Sequence, residues 1–173
     1  LTEEPFGVYA DAMAGYAVVA HLTTGALTLL DSQSGSPTQI ADVVTGLFGA
    51  DASGLRGATA VAGRTPGNPN GLIYAVARSE DRVQMLTVGR QAGSSAPFLL
   101  PTGYFFLDAV GGTSGGSSDS RGLAFSNNGD RMYVLNRRPP TVQLYDTSLD
   151  ETGVPKNRGL AATDVCRNAS GLT

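Results

Sequence analysis

The chain has 173 residues, 12 of them basic and 15 acidic, for a net charge of −3, and only 16% of its residues are charged. So mild a charge argues against a general nucleic-acid or anionic-membrane surface, and no apolar run approaches the roughly 20 residues of a spanning helix. Glycine supplies 23 residues and tryptophan none, so many tight turns and a core of Val, Leu, Ala, Tyr and Phe are expected.

Taken in chain order, the elements come as short strands. The first group is FGVYA (6–10), YAVVAH (16–21), LTLLD (27–31) and QIADVV (39–44), with Thr24-Gly25 turning the chain between its second and third members. The stretch 41–50 is the best helical candidate, but Gly46 and Gly49 break it, and a strand followed by a loop is expected there. The second group is GATAVAG (57–63), YAVARS (74–79), VQMLT (83–87) and FLLPTGYFFLD (98–108), with a longer loop over 66–71. The third is GLAFS (122–126), YVLNRR (133–138), VQLYD (142–146) and RGLAATDV (158–165). Its first turn, Asn128-Gly129-Asp130, tolerates the positive φ of a tight hairpin. Both faces of the strands are fairly apolar, as when Met132 and Val134 alternate with Tyr133 and Leu135. That pattern suits a sheet packed between two neighbours.

Tyr16, Tyr74 and Tyr133 open equivalent strands at spacings of 58 and 59 residues. Four short strands per repeat predict an all-β fold of four-stranded antiparallel β-propeller blades. About three blades are present, approximately 5–55, 56–119 and 120–165, with 166–173 beginning a further blade or tail. Propellers commonly close with 4–8 blades, and three leave raw sheet edges. The expectation is one partial domain of a six- to eight-bladed ring in a chain that starts at Leu1 rather than Met. The alternative is a short chain that closes by self-association.

The third copy resembles the YVTN-type β-propeller repeat, through Tyr133-Val134-Leu135-Asn136 and Val142-Gln143-Leu144-Tyr145-Asp146. Leu135 stands where the family has Thr, and the upstream copies YAVA (74–77) and YAVV (16–19) lack the Asn. The resemblance implies a propeller among surface-layer-like and periplasmic proteins and relatives of propeller lactonases. With the low charge and a Gly/Ser/Thr-rich surface, it implies an extracytoplasmic protein.

The catalytic search is thin. One His and one Cys give no His/Cys metal cluster, so no metal and no cofactor are expected. The Gly-rich run 111–116 has no Lys and reads as a flexible loop rather than a phosphate cradle. No nucleophile elbow marks a serine. His21 is expected at a partly exposed strand end. Cys166 is expected as a small buried hydrophobe, with pairing outside the chain as the alternative. Asn168-Ala169-Ser170 fits a glycosylation acceptor, a short pattern that often arises by chance. Asp31 and Asp146 hold equivalent positions and are expected to cap turns.

Blade topology locates a binding face. Loops after second and fourth strands emerge together, which gathers His21, Arg78, Glu80, Asp81, Arg82, Arg137 and Arg138 beside the long connections 45–56 and 109–120. Binding residues concentrate on such loops. The candidate partner-binding residues are therefore His21, Arg78, Arg82, Arg137 and Arg138, the last two held by the stiff Pro139-Pro140. The functional expectation is a non-enzymatic scaffold for a protein or surface polymer. Alternatives are a lactonase-like hydrolase of a sugar lactone and a subunit docking a redox partner. The lactonase reading suffers because the innermost strands carry mostly small apolar residues.

Overall fold

The computed structural model describes residues 4–32, 39–68, 71–90, 96–107 and 119–166. These form twelve strands and, among the described residues, no helix. The first sheet contains β1 (Pro5–Asp11), β2 (Tyr16–His21), β3 (Leu27–Asp31) and β4 (Gln39–Val44). The second contains β5 (Ala58–Gly63), β6 (Ile73–Ala77), β7 (Arg82–Arg90) and β8 (Pro97–Phe106). The third contains β9 (Ser120–Phe125), β10 (Arg131–Arg137), β11 (Pro140–Asp146) and β12 (Arg158–Asp164). Each sheet is an antiparallel meander in chain order, the expected blade. No described helix is long and apolar enough to cross a membrane.

Turn chemistry sets the hairpins. Gly129, at φ +73°, closes the β9–β10 turn, and a Cβ there would lie 2.5 Å from the Arg64 carbonyl oxygen of the second sheet. Glycine thus serves both the left-handed turn and its docking onto the neighbouring blade. Asp146 caps the end of β11 as expected. It accepts from the Ser148 amide at 3.0 Å and the Ser148 hydroxyl at 2.7 Å. Those bonds and the nearby cations Lys156 and Arg131 hold its carboxyl below the ordinary range.

The sheets pack face to face and run side by side along β1, β5 and β9. Between the first two lie Val18, Leu27 and Leu29 against Val61, Ile73 and Ala75. Between the second and third lie Tyr74, Val76 and Val83 against Leu123, Met132 and Val134. Tyr74 meets Phe125 edge-on at 5.1 Å, and burial pushes its hydroxyl up to about 12. Each such fully buried side chain contributes about 1.5–3 kcal/mol.

Each outer face keeps some exposed apolar side chains among the described residues, beside others that are buried, such as Val19 at 7% and Leu135 at 2%. On the first sheet the cross-strand row Val8–Val19–Thr28–Val43 points away from the second, and Val8 is 68% exposed. On the third, Tyr133 is 37% exposed, whereas its equivalents Tyr16 and Tyr74 are 4% and 0% exposed beneath a neighbouring blade. Among the described residues, the repeat tyrosine is thus fully covered in the first two sheets and only partly covered in the third.

Cys166 is exposed just past the outermost strand, not buried as expected. It follows an edge strand with largely exposed side chains, over which no sheet packs among the described residues. The acceptor pattern at 168–170, the Gly-rich run 111–116 and the tail 167–173 lie outside the described residues.

Candidate functional site

Of the two long connections expected at one end, 45–56 is described and most of 109–120 lies outside the described residues; around the former, charged side chains are largely used internally. The 45–56 connection is folded rather than loose. Its Phe48 is buried in the core between the first two sheets, and its backbone is held from below by charged side chains. Arg56 donates from Nη1 to the Phe48 carbonyl at 2.7 Å and Arg82 donates from Nη1 to the Leu47 carbonyl at 3.0 Å. The Gly49 amide donates to Glu80 Oε1 at 2.9 Å.

Burial corrects one of the five expected partner-binding residues, His21, and two more, Arg78 and Arg82, are engaged within the fold while partly exposed. His21 is fully buried, with Nε2 2.9 Å from Thr28 Oγ1 across the β2–β3 pair, so it has no surface to offer. Its strand-end position misleads because its side chain turns into the sheet rather than off its end. Arg78 pairs with Asp51 at 3.8 Å while its stem lies over Gly57, where even a Cβ would meet it at 2.1 Å. Arg82 pairs with Glu80 at 3.4 Å and stacks over Tyr104 at 4.6 Å. Both arginines are clamps on the interblade connection.

Arg137 and Arg138 sit differently. Arg137 pairs with Pro140 in register, leaving Arg138-Pro139 as a two-residue turn with a cis peptide bond between them, as in a type VI turn. Arg137 is half-buried, and its amide donates to the Asp119 carbonyl at 2.9 Å. Arg138 is exposed at the tip, and among the described residues no ion pair includes it.

A second group was not expected. Each innermost strand carries one extra residue at this end: Phe6 in β1, Thr59 in β5 and Arg121 in β9 are skipped in the pairing register. Such bulges re-aim side chains. Thr59 donates from Oγ1 to the Ser120 carbonyl at 2.6 Å. Ser120 donates from Oγ to Asn136 Oδ1 at 2.7 Å, and Asn136 is itself fully buried. Arg121 makes a two-point pair with Asp119, Nε–Oδ1 2.5 Å and Nη2–Oδ2 3.2 Å, and its guanidinium lies 5.8 Å from the Phe6 ring centre. The innermost strands thus carry more polar chemistry than their small apolar sequences imply. The available signal was Ser120-Arg121, immediately ahead of the recognised strand.

The opposite end has its own lock. Asp11, at the end of β1, accepts four hydrogen bonds: Met13 N at 3.1 Å and Ala14 N at 2.9 Å on Oδ1, and Gly67 N at 2.7 Å and the Tyr9 hydroxyl at 3.0 Å on Oδ2. Burial opposes its charge, but these donors prevail and keep its pKa below the ordinary value. Burial first, then the charges and hydrogen bonds around it, pushes the Tyr9 hydroxyl well above its usual range. Arg64 ties the second sheet to the third in a similar way, donating from Nε to the Thr147 carbonyl at 3.0 Å.

No protein-family model matches the sequence, and no curated protein matches it. Solved structures do. A protein from Lactobacillus plantarum, 14% identical, superimposes with a TM-score of 0.67 over 95% of this chain and 43% of its own. The β-propeller domain of Cps50 (Swd1) from Myceliophteria thermophila, 12% identical, gives 0.58 over 96% and 43%. A candidate 6-phosphogluconolactonase from Bacteroides fragilis, 15% identical, gives 0.57 over 94% and 42%. At these identities the likeness shows the fold, a β-propeller. The present chain spans less than half the length of each of these chains.

Proposed function

We propose that this chain is part of a β-propeller scaffold that binds an anionic protein or surface polymer through its loop end. The observation that carries the reading is the Arg137–Pro140 turn. It holds an exposed guanidinium on a stiff two-residue tip, while neighbouring Arg78 and Arg82 are taken up by the fold. A cation presented on a rigid element binds at low ordering cost. The YVTN-type assignment rests on Tyr133–Asn136 with Val142–Asp146, and an extracytoplasmic location on low charge and surface composition. Ring closure by further blades fits the exposed Tyr133 and Val8 faces. Closure by a second copy is the alternative, and it predicts a stable dimer by light scattering.

The binding test uses immobilised polyglutamate and polygalacturonate as anionic probes, with the full-length protein. Arg137→Glu with Arg138→Glu is expected to weaken capture about tenfold, the effect of roughly 1.4 kcal/mol, and added salt to do likewise. Capture unchanged by the double substitution sinks the reading. The second reading, a sugar-lactone hydrolase, is favoured by one observation, the Asp119–Arg121 pair beside Phe6 on the innermost strands. Turnover of 6-phosphogluconolactone or gluconolactone at enzymatic rates by the full-length protein would put it first.

A further inference from the structure

At the end opposite the arginine turn, the innermost strands of all three blades border a cleft of about 400 Å³. Tyr9 comes from β1, Gly63 from the end of β5, Pro66 from the loop beyond it, Phe125 from the end of β9, and Ser126 and Asn127 from the turn that follows. The volume falls within the range of small-molecule sites, roughly 300–1,000 Å³.

Its walls are pre-set. Gly63 makes room for Tyr9: a Cβ there would lie 2.1 Å from the Tyr9 hydroxyl oxygen. That hydroxyl is fixed on Asp11 at 3.0 Å, and the Tyr9 ring abuts Tyr16 edge-on at 6.3 Å. Phe125 is braced by Tyr74 at 5.1 Å. Two aromatic side chains are therefore held in place before any ligand arrives, which lowers the cost of binding.

The described lining is uncharged. Asp11 lies nearby, but both its oxygens are taken by four donors. Asn127 is exposed at the lip, and its amide both donates and accepts. Apolar rings flanking a space edged by an uncharged donor–acceptor group match a molecule with apolar C–H faces and hydroxyl edges.

We infer that this cleft is a binding site for a neutral saccharide unit. It is separate from the arginine turn and independent of what binds there. Charged sugars such as uronates or sugar phosphates would meet no counter-ion on the described lining, so neutral sugars bind in preference.

The test is saturation-transfer NMR on the full-length protein with methyl glucoside, maltose and cellobiose, and with glucuronate and 6-phosphogluconate for comparison. At least one neutral sugar is expected to bind with a dissociation constant of about 10 mM or tighter, and the charged ones more weakly. Asn127→Ala, on the surface and clear of the core, is expected to weaken binding about fivefold. Gly63→Val, which displaces Tyr9 into the cleft, is expected to abolish it, with circular dichroism checking the fold. The inference is overturned if no neutral sugar binds, if a charged sugar or a proline-rich peptide binds more tightly, or if binding survives Asn127→Ala unchanged.

Discussion

Phe48→Ala is expected to destabilise the protein by about 3–5 kcal/mol, the range for emptying a buried aromatic site. Phe48 is 1% exposed and belongs to the core between the first and second sheets. Its backbone is pinned on both sides, by Arg56 on its own carbonyl and by Arg82 on that of Leu47. The connection therefore cannot easily collapse into the space the ring leaves, which favours the upper half of the range. At about 2–4 °C per kcal/mol for a chain of this size, the melting temperature should fall by about 6–20 °C. Met13→Ala, at an 85% exposed side chain, should change it little. Chemical denaturation of both variants checks the contrast. A loss under about 1 kcal/mol for Phe48→Ala would mean that the connection is not part of the core.

That connection also shows what the sequence conceals. Strand positions were legible because they rest on local chemistry: apolar alternation, and turn residues such as Thr24-Gly25 and Asn128-Gly129. Strand ends were less so. β7 continues to Arg90 and β9 begins at Ser120 because the partner strands extend that far. The inner-strand bulges at Phe6, Thr59 and Arg121 exist only relative to a pairing partner, so no local pattern announces them. The same reason hid the fates of the charges. Arg82 looks like a free loop cation until the chain brings Leu47, 35 residues earlier, beneath it. His21 looks like a strand-end polar group until Thr28 faces it across the hairpin. The Arg137–Pro140 turn was legible as a turn because its signal, two prolines after two arginines, lies in adjacent residues.

Asp11→Asn is expected to cost about 2–4 kcal/mol and to flatten the acid limb of the stability curve. The carboxylate is 3% exposed and accepts from three backbone amides and one tyrosine hydroxyl. Hydrogen bonds to a charged acceptor are worth about 1.5–3 kcal/mol, and a buried donor left unmatched costs about 1–3. An amide keeps one accepting oxygen; its NH2 opposes the Met13 and Ala14 amides if placed at Oδ1, or the Gly67 amide if placed at Oδ2, where the Tyr9 hydroxyl can turn to accept from it. One of the hydrogen bonds at risk, from the Gly67 amide to Oδ2, joins the first blade to the second. The pH dependence follows from the direction of the shift. The folded pKa lies below the ordinary value of 3.8, so the stabilisation is fully present above that value and is lost as pH falls through the folded pKa. Wild-type stability should therefore drop on acidification from about pH 5 to below pH 3, with Asp51, Asp146 and Asp150, all shifted the same way, contributing to the fall. Asp11→Asn should begin lower at neutral pH and lose less on acidification. Asp164→Asn, at an exposed position on the outermost strand, should stay within about 0.5 kcal/mol of wild type at neutral pH. Urea melts at several pH values separate the outcomes: an unchanged acid limb in Asp11→Asn would show that the carboxylate is not ionised against these donors.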